Sequence, residues 1–330
     1  KLDHPGLKLF AGFCRKTEYG RKNKKMKDAA EKNGIFLGKM ELPELVRIAH
    51  KKGLLLTAEN VGSLGGPYLT KLKGRGMEFA ETRSYQYGDD VRHIDWRVTA
   101  RTGTTHTKLF REERERPVML VLDLSRRMFF GTRQRLKSVQ AARIAALTGW
   151  RALLRGDRVG GVIYSEEMHR EFKPRSDRRH FLRLLSNIMT EHNRIADRMN
   201  NNEWSFGSNS LFAQALRRVR QVVHPGSLIY IFSDFSGFNA ECRKHLFQLS
   251  KQNQLAAFLI SDPLEKEAPS SGRYAMSDGE AVAWVNSENS KTRQLYASTY
   301  EDQLKSLKHE LQLCRLSLKM LSTVDNVSQI

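Results

Sequence analysis

Oxygen-bearing side chains stand at the ends of two apolar runs in the sequence. Asp123 and Ser125 follow the run VMLVL, and Asp234 follows the run LIYIFS. Ser210 stands between these runs, where a helical pattern begins. Carboxylate and hydroxyl oxygens are the ligands that Mg²⁺ prefers in proteins. The four residues are therefore candidate ligands of a magnesium ion if the fold brings them together; the alternative is that the two aspartates cap the helices that follow them.

A parallel sheet would bring these side chains to one edge. From Pro117 onward, short continuous apolar runs, which are typical of buried parallel strands, alternate with helical patterns. The runs are VMLVLD, RVGGVIY, SLIYIFSD, LAAFLISD and RLSLKML, the helical patterns cover residues 136–154, 210–223, 241–252 and 291–313, and a hairpin ends in AVAWVN. This alternation predicts an α/β fold with a doubly wound, mostly parallel sheet, in which ligands bind beyond the carboxyl ends of the strands.

The sequence before Pro117 has a different pattern. Residues 1–39 contain the basic run RKNKK without sustained periodicity, and we expect an irregular leader there. Residues 41–52 space their apolar side chains on one helical face, and the segments MEFAETRSY and THTKLFREE predict strands of a smaller β-rich module. The predicted divisions are the leader at 1–39, a helix plus the β-rich module at 40–116, and the α/β domain at 117–330.

Acidic and basic residues lie close together in the segment GDDVRHIDWRVTAR. This density favours an ion-pair network that clamps the β-rich module onto the α/β domain, with a tryptophan as its apolar anchor. The predicted members of the clamp are Asp89, Asp90, Asp95, Trp96, Arg97 and Arg101. The alternative is a metal-dependent nuclease centre, in which the three aspartates act with Lys108 and with Glu112 or Glu113 to activate water.

Composition and motifs narrow the class of protein. The sequence has 56 Lys and Arg against 36 Asp and Glu, and its formal net charge of +20 predicts attraction to nucleic acid, anionic lipid or an acidic protein. The three cysteines are far apart, which argues against a disulfide framework or a structural zinc. The sequence contains no apolar stretch of membrane-spanning length and no signal-peptide pattern, so we expect a cytoplasmic protein without membrane insertion. P-loop, HExxH and GxSxG motifs do not occur, which favours a non-catalytic protein.

The residues at the strand ends resemble the metal-ion-dependent adhesion site of von Willebrand factor A domains. That family has an Asp-x-Ser-x-Ser motif, followed later in the chain by a Thr and then by an Asp. Asp123 and Ser125 match the first two positions, and Ser210 and Asp234 stand for the Thr and the last Asp. Arg127 replaces the second Ser. Because a guanidinium cannot ligate a cation but can pair with a carboxylate, the resemblance implies a degenerate metal site.

A longer resemblance runs from about Glu41 to Val327. The GDD, IDW and AR elements occur in order before the strand VMLVLD, and in this the sequence resembles the bacterial MoxR-associated family of unknown function (domain of unknown function fifty-eight), in its short soluble branch. The resemblance implies a protein-interaction adaptor that works with a MoxR-type AAA+ ATPase in chaperone-like assembly or maturation of client proteins. Arg126, Arg127 and Arg133 crowd the mouth of the expected site and would face an anionic partner. The rival interpretation is a basic nucleic-acid-binding protein, with or without metal-dependent cleavage.

Overall fold

The chain divides into two compact units, which are described separately. In a computed structural model of the protein, the described residues are 34–38, 41–51, 77–112, 115–201, 210–277 and 282–327. The smaller unit contains the described residues from 77 to 116, and the larger unit contains all the others.

The secondary structure of the described residues consists of the following elements. The strands are β1 (Met77–Ser84), β2 (His106–Glu112), β3 (Pro117–Asp123), β4 (Arg158–Tyr164), β5 (His169–Arg175), β6 (Leu228–Ser233), β7 (Gln254–Ser261), β8 (Arg273–Ser277), β9 (Val282–Asn286) and β10 (Ser317–Ser322). The helices are α1 (Glu41–Lys51), α2 (Trp96–Thr102), α3 (Lys137–Leu154), α4 (Arg178–Asn200), α5 (Leu211–Val222), α6 (Ala240–Ser250), α7 (Pro263–Lys266) and α8 (Ser290–Leu313).

A six-stranded sheet forms the centre of the larger unit. Its strand order is β10-β7-β6-β3-β4-β5, and all neighbours are parallel except β4 and β5, which are antiparallel. The predicted α/β class and the mostly parallel sheet are confirmed. The edge strand β5 and the long helix α4 were not predicted; four of the seven residues of β5 are exposed charged residues, so it lacks the apolar run of the other strands in this sheet.

Apolar residues of the central strands pack on both faces of the sheet. Leu120 and Leu122 of β3 belong to the core that lies under α3 and α4, whereas Met119 and Val121 belong to the core under α5 and α6. This alternation follows from the two-residue period of a strand, and it explains why β3 is apolar at every position up to Asp123. Helices therefore cover both faces, and the carboxyl ends of the parallel strands meet at one edge.

Helix α1 packs on the larger unit, although the predicted division grouped it with the β-rich module. Leu42 and Leu45 are buried in the same core as α3, and Glu41 forms an ion pair with Arg143 of α3 at 2.7 Å. The apolar stripe of α1 shows that one face of the helix is buried, but it does not show whether that face packs against a sheet or against another helix. Periodicity alone therefore could not assign the neighbour of α1.

The smaller unit contains β1 and β2 as an antiparallel pair with α2 between them, and both predicted strands are confirmed. In the larger unit, β8 and β9 form the predicted hairpin. Most of the predicted leader (1–33), a glycine-rich loop at 60–67 and the nuclease candidate Glu113 lie outside the described residues. None of the helices in the described ranges is long and apolar enough to cross a membrane.

Candidate functional site

Asp123 is the last residue of β3 and is almost fully buried, with 5% of its surface exposed. Its Oδ1 accepts a hydrogen bond from the backbone N–H of Ser125 at 2.8 Å, and its Oδ2 accepts one from the hydroxyl of Ser233 at 2.6 Å. Burial raises the pKa of Asp123, and the nearby negative charge of Asp234 raises it further. Because Ser233 ends β6, this carboxyl group joins the carboxyl ends of two neighbouring strands.

A buried lysine joins the ends of β6 and β7. Lys137 is the first residue of α3 and is only 2% exposed. Its Nζ donates hydrogen bonds to Oδ2 of Asp234 at 2.7 Å and to Oε1 of Glu265 at 2.8 Å. Asp234 follows β6, and Glu265 lies in α7, directly after β7. We call Lys137, Asp234 and Glu265 the lysine cluster.

Lys137 and Asp234 each stabilise the charged form of the other. Burial works to raise the pKa of Asp234, but the positive charge of Lys137 and the bonds from Lys137 and Ser236 outweigh burial, and the pKa lies below its usual value. Burial works to lower the pKa of Lys137, but the two carboxylates outweigh it and hold that pKa above its usual value. A buried ion pair is stable only when each charge retains its partners, so removing one member should be costly.

Asp262 holds Glu265 in place through its backbone, and its carboxylate ties three loops to this edge of the sheet. The backbone N–H of Asp262 donates to Oε2 of Glu265 at 2.8 Å. The Asp262 carboxylate accepts bonds from the N–H of Leu264 and of Thr132, each at 3.0 Å, and from the hydroxyl of Thr323 at 2.6 Å. Thr132 lies in the loop between β3 and α3, and Thr323 directly follows β10. The loops that surround the site are therefore fixed by hydrogen bonds to one buried carboxylate.

The predicted magnesium site does not fit this arrangement. We expected a cation, or Arg127 in its place, between Asp123 and Asp234. Arg127 is exposed, and the ammonium of Lys137 instead takes the Asp234 oxygen that a cation would need. In the part of the chain that the structure describes, no group of three or more His, Cys, Asp or Glu side chains is placed to hold a metal ion. Ser210, the remaining predicted ligand, lies just before α5, and its hydroxyl accepts a bond from Gln214 at 2.8 Å.

The alternative, that the two aspartates cap the following helices, is wrong. Asp123 and Asp234 each accept a bond from the N–H two residues further on, at Ser125 and at Ser236, so they stabilise local turns. Helix α3 begins after Leu136 without a side-chain cap, and the cap of α6 is Asn239.

Sequence reasoning did not predict the burial of Lys137. Lys137 shares one helical stripe with Ala141, Ile144 and Thr148, all of which are buried. The position of this lysine on the apolar stripe of a helix could have indicated its burial. Because a buried ammonium requires anionic partners, it could also have indicated that carboxylates lie nearby. Glu265 carried no comparable signal, because it lies 128 residues from Lys137 in the sequence.

The predicted partner-facing arginines follow β3. Arg126 begins a short turn, and its backbone N–H donates to both oxygens of Glu166 at 3.0 and 3.1 Å. The side chains of Arg127 and Arg133 are exposed. Arg126, Arg127 and Arg133 are called the arginine rim below.

The predicted clamp residues form bonds inside the smaller unit. Asp89 pairs with Arg83 at 2.7 Å, and Asp90 accepts a bond from the backbone N–H of Arg92 at 3.0 Å. Asp95 caps α2 by accepting from the N–H of Arg97 at 3.1 Å.

The remaining clamp residues, Trp96, Arg97 and Arg101, have exposed side chains, and 69% of the surface of Trp96 is accessible. The three aspartates therefore stabilise turns and a helix start, which accounts for them without a nuclease centre. The clamp itself stays a prediction.

The fold and the site define an α/β protein with a mostly parallel sheet and a buried, lysine-bridged carboxylate cluster at the carboxyl edge. Residues 81–306 match the family described as "Protein of unknown function DUF58", and the chain belongs to this family.

Two uncharacterized mycobacterial proteins, Mb1516 of Mycobacterium bovis and Rv1480 of Mycobacterium tuberculosis, are similar to this chain. Each is 29% identical to it over 247 residues, which cover 75% of this chain and 74% of the mycobacterial protein. The crystal structure of the conserved hypothetical protein BatB from Bacteroides thetaiotaomicron aligns with 61% of this chain and 98% of its own, at 15% identity and a TM-score of 0.34.

Proposed function

We propose that this protein is a non-catalytic protein-interaction module with a von Willebrand factor A-like α/β domain, and that its carboxyl edge binds a MoxR-type AAA+ ATPase in the assembly or maturation of client proteins. The observation that carries the proposal is the lysine cluster: Lys137 holds Asp234 at 2.7 Å and Glu265 at 2.8 Å at the edge where proteins of this fold class bind their ligands.

The lysine cluster supports a binding role because it makes the edge rigid. Its bonds, with those of Asp262, fix the loops after β3, β6 and β7 relative to each other. Binding to a rigid surface avoids the entropy loss of ordering loops, which improves affinity. The side chains that catalysis would require are also already hydrogen-bonded to one another. The Ser233 hydroxyl donates to Asp123, and the Lys137 ammonium donates to two carboxylates. These groups therefore suit a scaffold better than an acid, a base or a nucleophile.

The arginine rim supports an acidic partner surface. Exposed Arg127 and Arg133 are in position to form charge-assisted hydrogen bonds with carboxylates of a partner. The resemblance to a von Willebrand factor A adhesion site fits this geometry if rim arginines, and not a metal ion, receive the partner's carboxylate. The partner class follows from the resemblance to the MoxR-associated family.

The test is a calorimetric titration of the protein with the purified MoxR-type ATPase from the same organism. We expect the double variant Arg127→Glu/Arg133→Glu to bind at least about tenfold more weakly, a loss of about 1.4 kcal/mol. The matched control is Arg217→Glu/Arg218→Glu, which reverses two exposed arginines on α5. Equal affinity of both double variants would refute the assignment of the rim, and no binding by the wild-type protein would refute the proposed partner.

The net charge of +20 favours a second candidate, nucleic-acid binding. Fluorescence anisotropy with labelled single-stranded and duplex oligonucleotides over a range of salt concentrations tests it. Counterion release predicts that a nucleic-acid complex weakens steeply with salt, whatever the oligonucleotide sequence. Tight, salt-sensitive binding without affinity for the ATPase would favour this candidate over the adaptor.

A further inference from the structure

Helix α3 connects the candidate site to a second cluster of cations at the opposite end of the sheet. The helix begins at Lys137 beside Asp234 and continues for 18 residues, about 27 Å, to Leu154. Arg151 lies in its last turn, and Arg155 follows four residues later, so both side chains leave the helix on the same side.

Lys319 of β10 extends on the face of the sheet that α3 covers. It is paired in register with Phe258 of β7, and Phe258 belongs to the core beneath α3. Arg151 and Lys319 are both half-buried. We call Arg151, Arg155 and Lys319 the cation triad.

Arg151 interacts electrostatically with each of the other two members of the cation triad. Burial lowers the pKa of Arg151 to about 10, and the positive charge of Arg155 lowers it in the same direction. Burial also lowers the pKa of Lys319, and the positive charge of Arg151 adds to that effect. Among the described residues, Nη2 of Arg151 is buried and has no hydrogen-bond partner. The unsatisfied Nη2 donor of half-buried Arg151 costs stability, and a bound anion would supply the missing acceptor.

We propose that Arg151, Arg155 and Lys319 form a binding site for a small ligand that carries a terminal phosphate group. Two guanidinium groups and an ammonium offer several charge-assisted donors to the oxygens of a tetrahedral dianion, and arginine is well suited to bidentate contacts with phosphate. A small ligand fits because a terminal phosphate can reach half-buried cations, whereas a broad nucleic-acid duplex contacts exposed ones. This site lies apart from the lysine cluster and goes beyond the proposed function.

A structural role at the helix end explains only part of the cation triad. The carbonyl groups at the carboxyl end of α3 carry partial negative charge, which stabilises Arg151 and Arg155. Lys319 lies on a strand and gains nothing comparable from it. Exposed Arg158 and Arg175 add positive charge at the same end of the sheet, since Arg158 begins β4 and Arg175 is paired with Val159. The guanidinium of Arg178 lies 5.6 Å from the ring centre of Trp150 on α3. Such positive charges would also attract an anion over a longer distance.

The experiment is a calorimetric titration of the full chain with pyrophosphate at an ionic strength of about 0.15 M, a concentration that screens exposed charges. We expect saturable binding that is weakened about tenfold or more by Arg151→Gln and, separately, by Lys319→Gln, since each removes charged donors. The matched control is Arg218→Gln, which removes an exposed arginine from α5 on the other face of the sheet. Circular dichroism of each variant confirms that it is folded before titration.

Two further arms decide the class of ligand. Sodium sulfate at equal ionic strength tests for binding by charge alone, and a short single-stranded oligonucleotide with no terminal phosphate tests for a nucleic-acid backbone. Binding of pyrophosphate that depends on Arg151 and Lys319 but not on Arg218 supports the proposal. Equal effects of all three variants, binding of sulfate as tight as that of pyrophosphate, or tighter binding of the oligonucleotide would overturn it.

Discussion

Replacing Lys137 by methionine should destabilise the larger unit and make its stability depend on pH. The substitution keeps most of the side-chain volume but leaves Asp234 and Glu265 without their shared cation. Removing one partner from a buried ion pair typically costs about 3–5 kcal/mol. The loss has an upper limit, because Asp234 without its lysine can bind a proton and become neutral. Protonating a carboxylate with an unfolded pKa of about 3.9 at pH 7 costs about 4 kcal/mol. We therefore expect a loss of about 4 kcal/mol at pH 7.

The sign of the pH dependence follows from the pKa of Asp234. In the wild-type protein this pKa is depressed, so the stability that the ion pair contributes is present above the unfolded pKa and is lost only as the pH falls through the lower, folded pKa. In the variant, burial without Lys137 raises the same pKa, and the penalty of protonation falls by about 1.4 kcal/mol for each pH unit below 7. The difference in stability between the two proteins should therefore shrink to about 1.5 kcal/mol at pH 5.

The assay is urea unfolding followed by circular dichroism at pH 7 and pH 5. Lys305→Met is the matched control, since Lys305 is 74% exposed and lies 3.8 Å from Asp302, a surface pair worth at most about 1 kcal/mol. A loss below about 1 kcal/mol for Lys137→Met at pH 7, or the same loss at pH 5, would refute the interpretation that Lys137 holds two ionised carboxylates.

Three further predictions concern the same domain. Magnesium should leave the thermal unfolding temperature of the wild-type protein unchanged and raise that of Lys137→Ala, because the substitution frees the carboxylate oxygens for a cation; equal shifts would contradict this. Burial lowers the pKa of His192 to about 4, so acidification from pH 7.5 to 5 should cost the wild-type protein about 2 kcal/mol that His192→Gln does not lose in urea unfolding. Gly149→Ala should destabilise by about 1–3 kcal/mol despite the higher helix propensity of alanine, since its Cβ would lie 2.5 Å from the Phe181 ring; a more stable variant in thermal unfolding would contradict this.

The alternation of apolar runs and helical patterns was enough to predict most of the larger unit. Strands such as β3 are apolar at every position, a pattern that both faces of a covered parallel sheet require. The antiparallel edge strand β5 and helix α4 were not predicted, because β5 has one polar side and its burial depends on β4. The association of α1 with α3 was also outside what periodicity can indicate, since an apolar stripe does not specify what covers it.

The candidate site was predicted in part. The positions of Asp123 and Asp234 at strand ends followed from the sequence, because the carboxyl ends of parallel strands meet at one edge. The sequence did not indicate which cation lies between the loops. Arg127 and Lys137 lie in one basic segment, and only packing decides which of the two side chains is buried. Glu265 reaches the cluster through the turn after β7, a tertiary contact with no local sequence signature.

The two ends of the sheet differ in how their charges are balanced, and this difference separates the two proposals. At the carboxyl edge, Lys137 is neutralised by Asp234 and Glu265, and the arginine rim supplies the positive charge that we expect an anionic partner to contact. At the other end, Arg151 lies among cations and keeps a buried donor without a partner in the described structure. Variants of the rim should therefore weaken ATPase binding and leave pyrophosphate binding intact, and Arg151→Gln should do the reverse. If each variant impaired both activities equally, the net charge of +20 would act as one diffuse surface, and neither end would be a distinct site.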